Sequence, residues 1–554
     1  MKRITILFLI LPVLIAGCSK KKKSNNYVYL PPSPSMGPLS APKVFDPKMG
    51  GGVTADISYR VNPLGTTFDV TLTVVDDATS IEVRRLLDAV STPGGTTRVE
   101  VWDGKNDSGD FVDPGTYKIV LNAVNAPSYD IWEETYIFIV RLGIVGIQFV
   151  DNGLGGTEYQ MMYHIRNTSK YTYYAIPDNQ PEWSIGPNSG EVADLDVNDG
   201  QPRALPPLWP NLNSPPQDAS DPSGVEDDCY NHPICYRRAS VPKFILTLGT
   251  DAASDVTPGT AVGCGYPVAG LPIRIISLGD TPEVPGANED IAPAGTMTFV
   301  SNGSLPNGLY KTTISPTFRF EYNDGGTWCP IPGQIVTAHT IYTIHDTPAL
   351  TTSPSPTPPY LPWVRVVDMV VGWVNSNAAA GQIDSIVTNQ TNTFFGLLYD
   401  TATGAPGYTT PSFVFEMSNF IDDYDTSSFG RINCSDCACL VSTFANTVGI
   451  NHQLQRLGIS NPIPLNWMIP IGWDWQIPFG GDFSFHCVVT RDNGDTVSDA
   501  CCTLDTDGDN GPGSSATVHT PVLPVDMDYA TYSSLLSPSP GSWGTYDFGR
   551  CGQH

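Results

Sequence analysis

Three cysteines fall within six positions of the run INCSDCACLVSTFANTVG, residues 432–449. Ala438, Val441, Ala445 and Val448 recur at helical spacing, Leu440 and Phe444 widen the apolar face, and Gly449 stands where a C-cap belongs. The run reads as a helix with Cys434 in its first turn. A thiol there lies close to the positive end of the helix dipole and to backbone N–H groups without helical partners, which favours thiolate and nucleophilic attack.

A nucleophile needs a base, and the candidate is His486 in GGDFSFHCVVTRDNGDTVSDACCTLD. FSFHCVVT and TVSDACCTLD have the composition of two strands, and Asn493-Gly494 between them is the preferred pair for a two-residue type I′ turn. In that register His486 faces Cys501, and Asp499 projects to the same face as a diagonal neighbour. Asp505 lies four residues beyond Cys501. The register therefore selects Asp499 to orient the imidazole.

Other chemistry competes for these residues. Cys434, Cys437 and Cys439 with His486, Cys487, Cys501 and Cys502 could form a zinc or other metal site, yet Cys437 and Cys439 point about 200° apart on an ideal helix. Asp505, Asp507 and Asp509 alternate in DTDGDNG as carboxylates do in calcium loops, which makes calcium a candidate cofactor. The EF-hand pattern fails there, with Asn510 at its sixth position and Ala516 at its twelfth. An acidic surface loop is the simpler account, and the thiol chemistry requires no cofactor. Trp467, Trp473 and Trp475 crowd the approach to His486, either lining a cleft or filling the core.

The amino-terminal run MKRITILFLILPVLIAGC has two cations, a short apolar stretch and the ending Ile15-Ala16-Gly17-Cys18. This is the form of a signal peptide over 1–17 closed by a lipobox, with Cys18 as the acylated first residue of the mature chain. The expected location is the bacterial cell envelope, outside the cytoplasm, with the lipid as membrane anchor, Lys20 to Lys23 against anionic headgroups, and 18–51 as a tether. With 56 acidic and 29 basic residues the chain carries a net charge of −27, which argues against a nucleic-acid partner. Of twelve cysteines, lipid on Cys18 leaves an odd number. Disulfide candidates are Cys229, Cys235, Cys264 and Cys329 in the middle of the chain and Cys437, Cys439, Cys487, Cys501, Cys502 and Cys551 near its end, and the odd thiol falls most naturally in the C-terminal part, without parity saying which it is. Cys229 and Cys235 bracket a short loop holding His232, so metal binding there is the less favoured alternative to a staple.

Residues 52–142 alternate in the manner of half-buried strands, as in FDVTLTVVD and TYKIVLNAV. Within them Trp102-Asp103-Gly104, Gly109, Pro114-Gly115 and Tyr117 form a pattern that resembles the Ig-like domain of flagellar hook-capping proteins. The resemblance implies a β-sandwich for spacing or adhesion, with Trp102 and Tyr117 in its core. A second β-rich domain is expected over 143–346 and a Pro/Ser/Thr linker over 347–362. From 363 to 554 the periodicity becomes helical: WVRVVDMVVGWV and QIDSIVTNQTNTFFGLL read as helices, and SFVFEMSNFIDD as a third.

Cys434-Ser435-Asp436-Cys437-Ala438-Cys439-Leu440, followed by Gly449-Ile450, is similar to the nucleophile helix of the transglutaminase-like superfamily, and FHCVV and VSDACCTLD resemble its histidine and aspartate strands. The resemblance implies an α+β papain-like domain after the all-β Ig-like units, with Cys434 as nucleophile, His486 as acid and base, and Asp499 as orienter. Cys487 and Val488 depart from the family pattern. The implied activity is acyl transfer through a cysteine thioester on a protein or peptide substrate, by amide hydrolysis (peptidase or amidase) or by transamidation. The alternative is a non-catalytic surface lipoprotein for binding or structure, ending in a disulfide-rich module.

Overall fold

The computed structural model describes residues 34–553 apart from 48–52, 126–128, 141–142, 151–157, 160, 168–169, 176–182, 185–229, 232, 250–272, 279–295, 302, 351–360, 395, 412, 474–478, 492–493 and 507–520. The 1–17 segment, Cys18, Cys229, Cys264, Trp475, Asp507, Asp509 and most of the 347–362 linker lie outside the described residues.

The chain is multidomain and mostly β. In its first unit Phe68, Val70, Leu72 and Val74, alternating along Thr67–Asp76, are fully buried, as are Ile119, Leu121 and Ala123 on Gly115–Asn125. They face a second sheet carrying Ile57 and Tyr59, so two sheets enclose one core. The Trp102 indole donates to the Lys105 carbonyl at 2.9 Å, the Tyr117 hydroxyl donates to the Asp113 carbonyl at 2.9 Å, and the two rings meet edge-on at 6.0 Å. Both side chains are core, as expected.

The tether reading of 18–51 is corrected over its last part. Ser35–Met36 pairs with Ala55–Asn62, and Val44–Phe45 pairs in parallel with Tyr129–Ile139. Val44 and Phe45 are fully buried, so one apolar pair inside a proline-rich stretch suffices to close a sheet edge. The second β-rich unit holds several small sheets over a core of Phe149, Phe244, Phe299, Phe318 and Phe320.

Among the described residues, five helices and two main sheets make the last unit. Helices α1 (Val364–Val374), α2 (Ala380–Asn392), α3 (Met417–Thr426) and α4 (Cys434–Thr447) follow the helical periodicity, and α5 (Tyr529–Leu536) was not anticipated. Helix α2 stops at Asn392, short of the apolar Phe394 and Leu397. Helix α4 packs against the strand His486–Arg491, which is central in the five-stranded sheet. A four-stranded sheet containing Ile463–Pro470 and Cys502–Asp505 completes the unit.

The core of this unit also takes in Leu309, Tyr342 and Ile344 from the preceding β-rich unit. Its junction is fastened by the His345 and Asp346 N–H groups, which both donate to the Val448 carbonyl (3.0 and 3.3 Å), and by the Ala349 N–H, which donates to the Asn446 carbonyl at 2.8 Å. Gly449 has φ +87°, and a Cβ there would meet the Asp346 carbonyl oxygen at 2.2 Å, so glycine allows the close approach that holds the end of α4.

Candidate active site

The first turn of α4 is fixed by two polar side chains. Asn433, the N-cap, accepts from the Ser435 and Asp436 N–H groups at 2.9 and 3.1 Å, and Asp436 accepts the Asn433 N–H in return at 2.9 Å. Asp436, fully buried, also accepts the Gly407 and Tyr408 N–H groups at 2.7 and 2.9 Å. Three backbone donors and the helix N-terminus stabilise this buried carboxylate. The aspartate two positions after the candidate nucleophile is thus a positioning group, locking the 404–408 loop to the start of the helix.

Cys434 is buried, and its thiol lies in hydrogen-bond contact with the thiol of Cys487. That contact, with burial, pushes the Cys434 thiol well above its ordinary range, whereas Cys434 and then the Ser435 hydroxyl, 3.5 Å away, pull Cys487 down. The helix N-terminus alone therefore does not give the resting thiolate that the sequence led us to expect.

His486 and Asp499 meet directly. His486 Nε2 and Asp499 Oδ2 are 2.8 Å apart, and both residues are at most 2 % exposed. Asp499 also accepts the Tyr532 hydroxyl at Oδ2, 2.9 Å, and the Cys501 N–H at Oδ1, 2.8 Å. Burial first, and the Asp499 charge next, push the Tyr532 hydroxyl well up, so it stays protonated and donates. With the carboxylate on Nε2, that nitrogen carries the proton and Nδ1 presents its lone pair. Nδ1 is buried and has no hydrogen-bond partner among the described residues. Phe483 stacks on the imidazole at 5.2 Å with the planes 14° apart. A tryptophan cover was considered from the sequence, but Trp473 instead donates its indole N–H to the Tyr399 carbonyl at 3.1 Å.

The expected hairpin register holds, and its extent is corrected. Val489, Thr490 and Arg491 pair with Ser498, Val497 and Thr496 as anticipated, but the return strand ends at Ser498. Asp499 to Cys501 turn away, fixed by the Asn392 side-chain amide on the Ala500 carbonyl at 2.8 Å, and Cys502–Asp505 joins the other sheet. His486 therefore faces Asp499 through this turn and does not pair with Cys501. Asp505 ends a strand of that other sheet, opposite Pro521. Tyr532 is the site residue that the sequence reading missed. Its signal was Asp528 ahead of YATYSSLL, an N-cap whose carboxylate accepts the Thr531 N–H at 3.0 Å.

Among the described residues none of Cys235, Cys329, Cys434, Cys437, Cys439, Cys487, Cys501, Cys502 and Cys551 is disulfide-bonded in this structure. Burial pushes the thiols of Cys437, Cys439, Cys501 and Cys502 up, that of Cys502 to about 11. For metal binding, the donors that converge are His486, Asp499 and Cys502, with ligand atoms within 4.8 Å of one another. They fit a resident cation poorly, because His486 Nε2 and Asp499 Oδ2 bond to each other and Tyr532 donates to the same oxygen. A second buried pair, His452 Nε2 and Asp384 Oδ2 at 3.3 Å, has Arg491 Nε at 3.8 Å, and the same carboxylate accepts the Thr388 hydroxyl at 3.2 Å and the Ser498 hydroxyl.

No protein-family model matches the sequence, and no curated protein matches it. Among solved structures, red sea bream transglutaminase is similar at 11 % identity, with 55 % of this chain and 31 % of that one covered and a TM-score of 0.15. The match spans about a third of that enzyme's length, and at this TM-score it carries no argument about the site.

Because contact with Cys487 is the first cause holding Cys434 protonated, Cys487→Ala is expected to speed alkylation of Cys434 at pH 7 by about tenfold for each pKa unit recovered. In the unaltered protein the rate should climb only once the pH has passed the usual thiol range. An unchanged or slower rate in Cys487→Ala would contradict the role of the Cys487 contact in holding Cys434 protonated.

Proposed function

We propose that the last unit is a cysteine-dependent acyl-transfer domain, with Cys434 as nucleophile, His486 as general base and then acid, and Asp499 as orienter. The observation that carries this reading is the buried hydrogen bond between His486 Nε2 and Asp499, which leaves Nδ1 without a partner among the described residues while Cys434 meets Cys487, the next residue of the same strand. In the reaction Cys434 turns from Cys487 to Nδ1 and gives up its proton there. The thiolate attacks an amide or glutamine carboxamide carbon, and the imidazolium returns the proton to the departing nitrogen. Water or an amine then takes up the acyl group, losing its proton to His486 as the thioester breaks. Asp499 stays ionised throughout and stabilises the imidazolium.

The substrate class in this reading is a protein or peptide amide. The chain acts from the envelope surface, anchored through lipid on Cys18, with the β-rich units as spacers, no nucleic-acid partner and no required cofactor. Calcium at Asp505, Asp507 and Asp509 is the weaker proposal, motivated by their alternation alone. The rival, a non-catalytic surface protein, is favoured by one observation: Cys434, His486 and Asp499 are all at most 3 % exposed, so attack requires the site to open.

Labelling with a thiol electrophile across pH, on a mutant set checked for thermal unfolding, separates the readings. Cys434→Ala is expected to abolish labelling of the helix peptide. Asp499→Asn should slow it near neutral pH by roughly a hundredfold or more, while Asp505→Asn does little. An Asp505→Asn defect larger than that of Asp499→Asn would overturn the triad, and a Cys434 that stays unreactive even in the presence of peptide amides would favour the rival. For the anchor, fatty-acid labelling should mark the wild-type chain and be lost in Cys18→Ala; label retained by that mutant would refute lipidation.

A further inference from the structure

Helix α4 sends two further thiols to opposite sides. Cys437 contacts Cys501, which also touches its neighbour Cys502, and Cys439 contacts Cys551, the four residues of the two cross-chain pairs being at most 2 % exposed. The divergence follows from the two-residue spacing, about 200° around a helix. Each contact joins α4 to a segment far from it in sequence. Cys501 lies in the turn that holds Asp499, donating its N–H to that carboxylate at 2.8 Å. Cys551 has its Sγ 3.3 Å from the Phe413 carbonyl oxygen and precedes Gly552–Gln553, which pairs with Val414–Phe415.

The geometry points to Cys437–Cys501 and Cys439–Cys551 as the two disulfides of the oxidised protein, fastening α4 on one side to the Asp499 turn and on the other to the Val414–Phe415 strand pair. Each bond forms when the thiols meet a small disulfide oxidant such as oxidised glutathione. One protein sulfur attacks the oxidant and releases one glutathione thiol. Its partner then displaces the second, so one S–S bond replaces another and both protons leave with the two glutathione molecules. The Cys437–Cys501 bridge would tie the helix that carries the nucleophile to the residue that holds Asp499. Cys434 and Cys487 belong to the reacting pair and take no part, and Cys502 keeps a free thiol.

The test is disulfide mapping of the full-length protein after equilibration with oxidised and reduced glutathione, capping of free thiols, and tryptic digestion without reduction. Cleavage at arginine separates 432–456 (Cys434, Cys437, Cys439), 457–491 (Cys487), 492–550 (Cys501, Cys502) and 551–554 (Cys551). The expected product is 432–456 joined to both 492–550 and 551–554, with fragmentation of the wild-type peptide placing the bonds. In Cys439→Ser only Cys551 should become cappable, and in Cys437→Ser only Cys501. Reduction of the wild type should lower its melting temperature by at least about 5 °C. A vicinal Cys501–Cys502 bond, Cys551 still linked in Cys439→Ser, or all four thiols open to capping would overturn the proposal. Recovery of 432–456 joined to 457–491 would instead mean a blocked Cys434, which counts against the acyl-transfer reading and leaves the two staples standing.

Discussion

The last unit is organised around one buried carboxylate. Asp499 has left water, and an ionised group in that position is tolerated only when its oxygens are met by donors. Three are supplied, each from a different part of the chain: the imidazole at the start of the central strand, the Tyr532 hydroxyl from α5, and the N–H of Cys501 two residues on. Satisfying the carboxylate therefore fixes where α5 docks, why the return strand breaks after Ser498, and which imidazole nitrogen holds the proton. Replacing any one donor by an apolar group would leave a buried acceptor short of a partner, typically at about 1–3 kcal/mol.

A second buried carboxylate, Asp436, does for the turn that carries Cys434 what Asp499 does for His486. Its donors are the N–H groups of Gly407, Tyr408 and Asn433, so the start of α4 is clamped to a loop and the Cys434 turn cannot fray. The Cys434 thiol meets that of Cys487, to which the Ser435 hydroxyl also donates. In that arrangement the Cys434 thiol is held against its neighbour and kept protonated, so the proposed reaction requires Cys434 to change partner before its proton can reach His486.

Much of this was legible in the residues, and the limits have physical causes. Helix α4 could be read because its apolar repeat runs unbroken for four turns, and the Asn493-Gly494 signal gave the right register for Val489 to Arg491. The break after Ser498 could not be read, since it depends on the Asn392 amide and on partners more than a hundred residues apart in sequence. Helix α5 escaped because YATYSSLL has weak amphipathic patterning, although its N-cap was visible. Burial of Val44 and Phe45 was hidden by proline-rich surroundings that resemble a tether. The thiol shifts were misjudged for a related reason: a helix N-terminus is a local feature, whereas the contact that holds Cys434 protonated comes from a strand more than fifty residues away.

The central claim is that Cys434, served by His486 and Asp499, carries an acyl group in turnover. The most direct measurement is to offer the full-length protein an activated aryl ester, follow release of the phenol, and map the acylated peptide at acidic pH before and after hydroxylamine. The account predicts a burst of phenol and a hydroxylamine-labile acyl group on residue 434 within 432–456, with His486→Ala abolishing the burst. An acyl group on Cys487, on a lysine or on a serine, or a burst unaffected by His486→Ala, would contradict it.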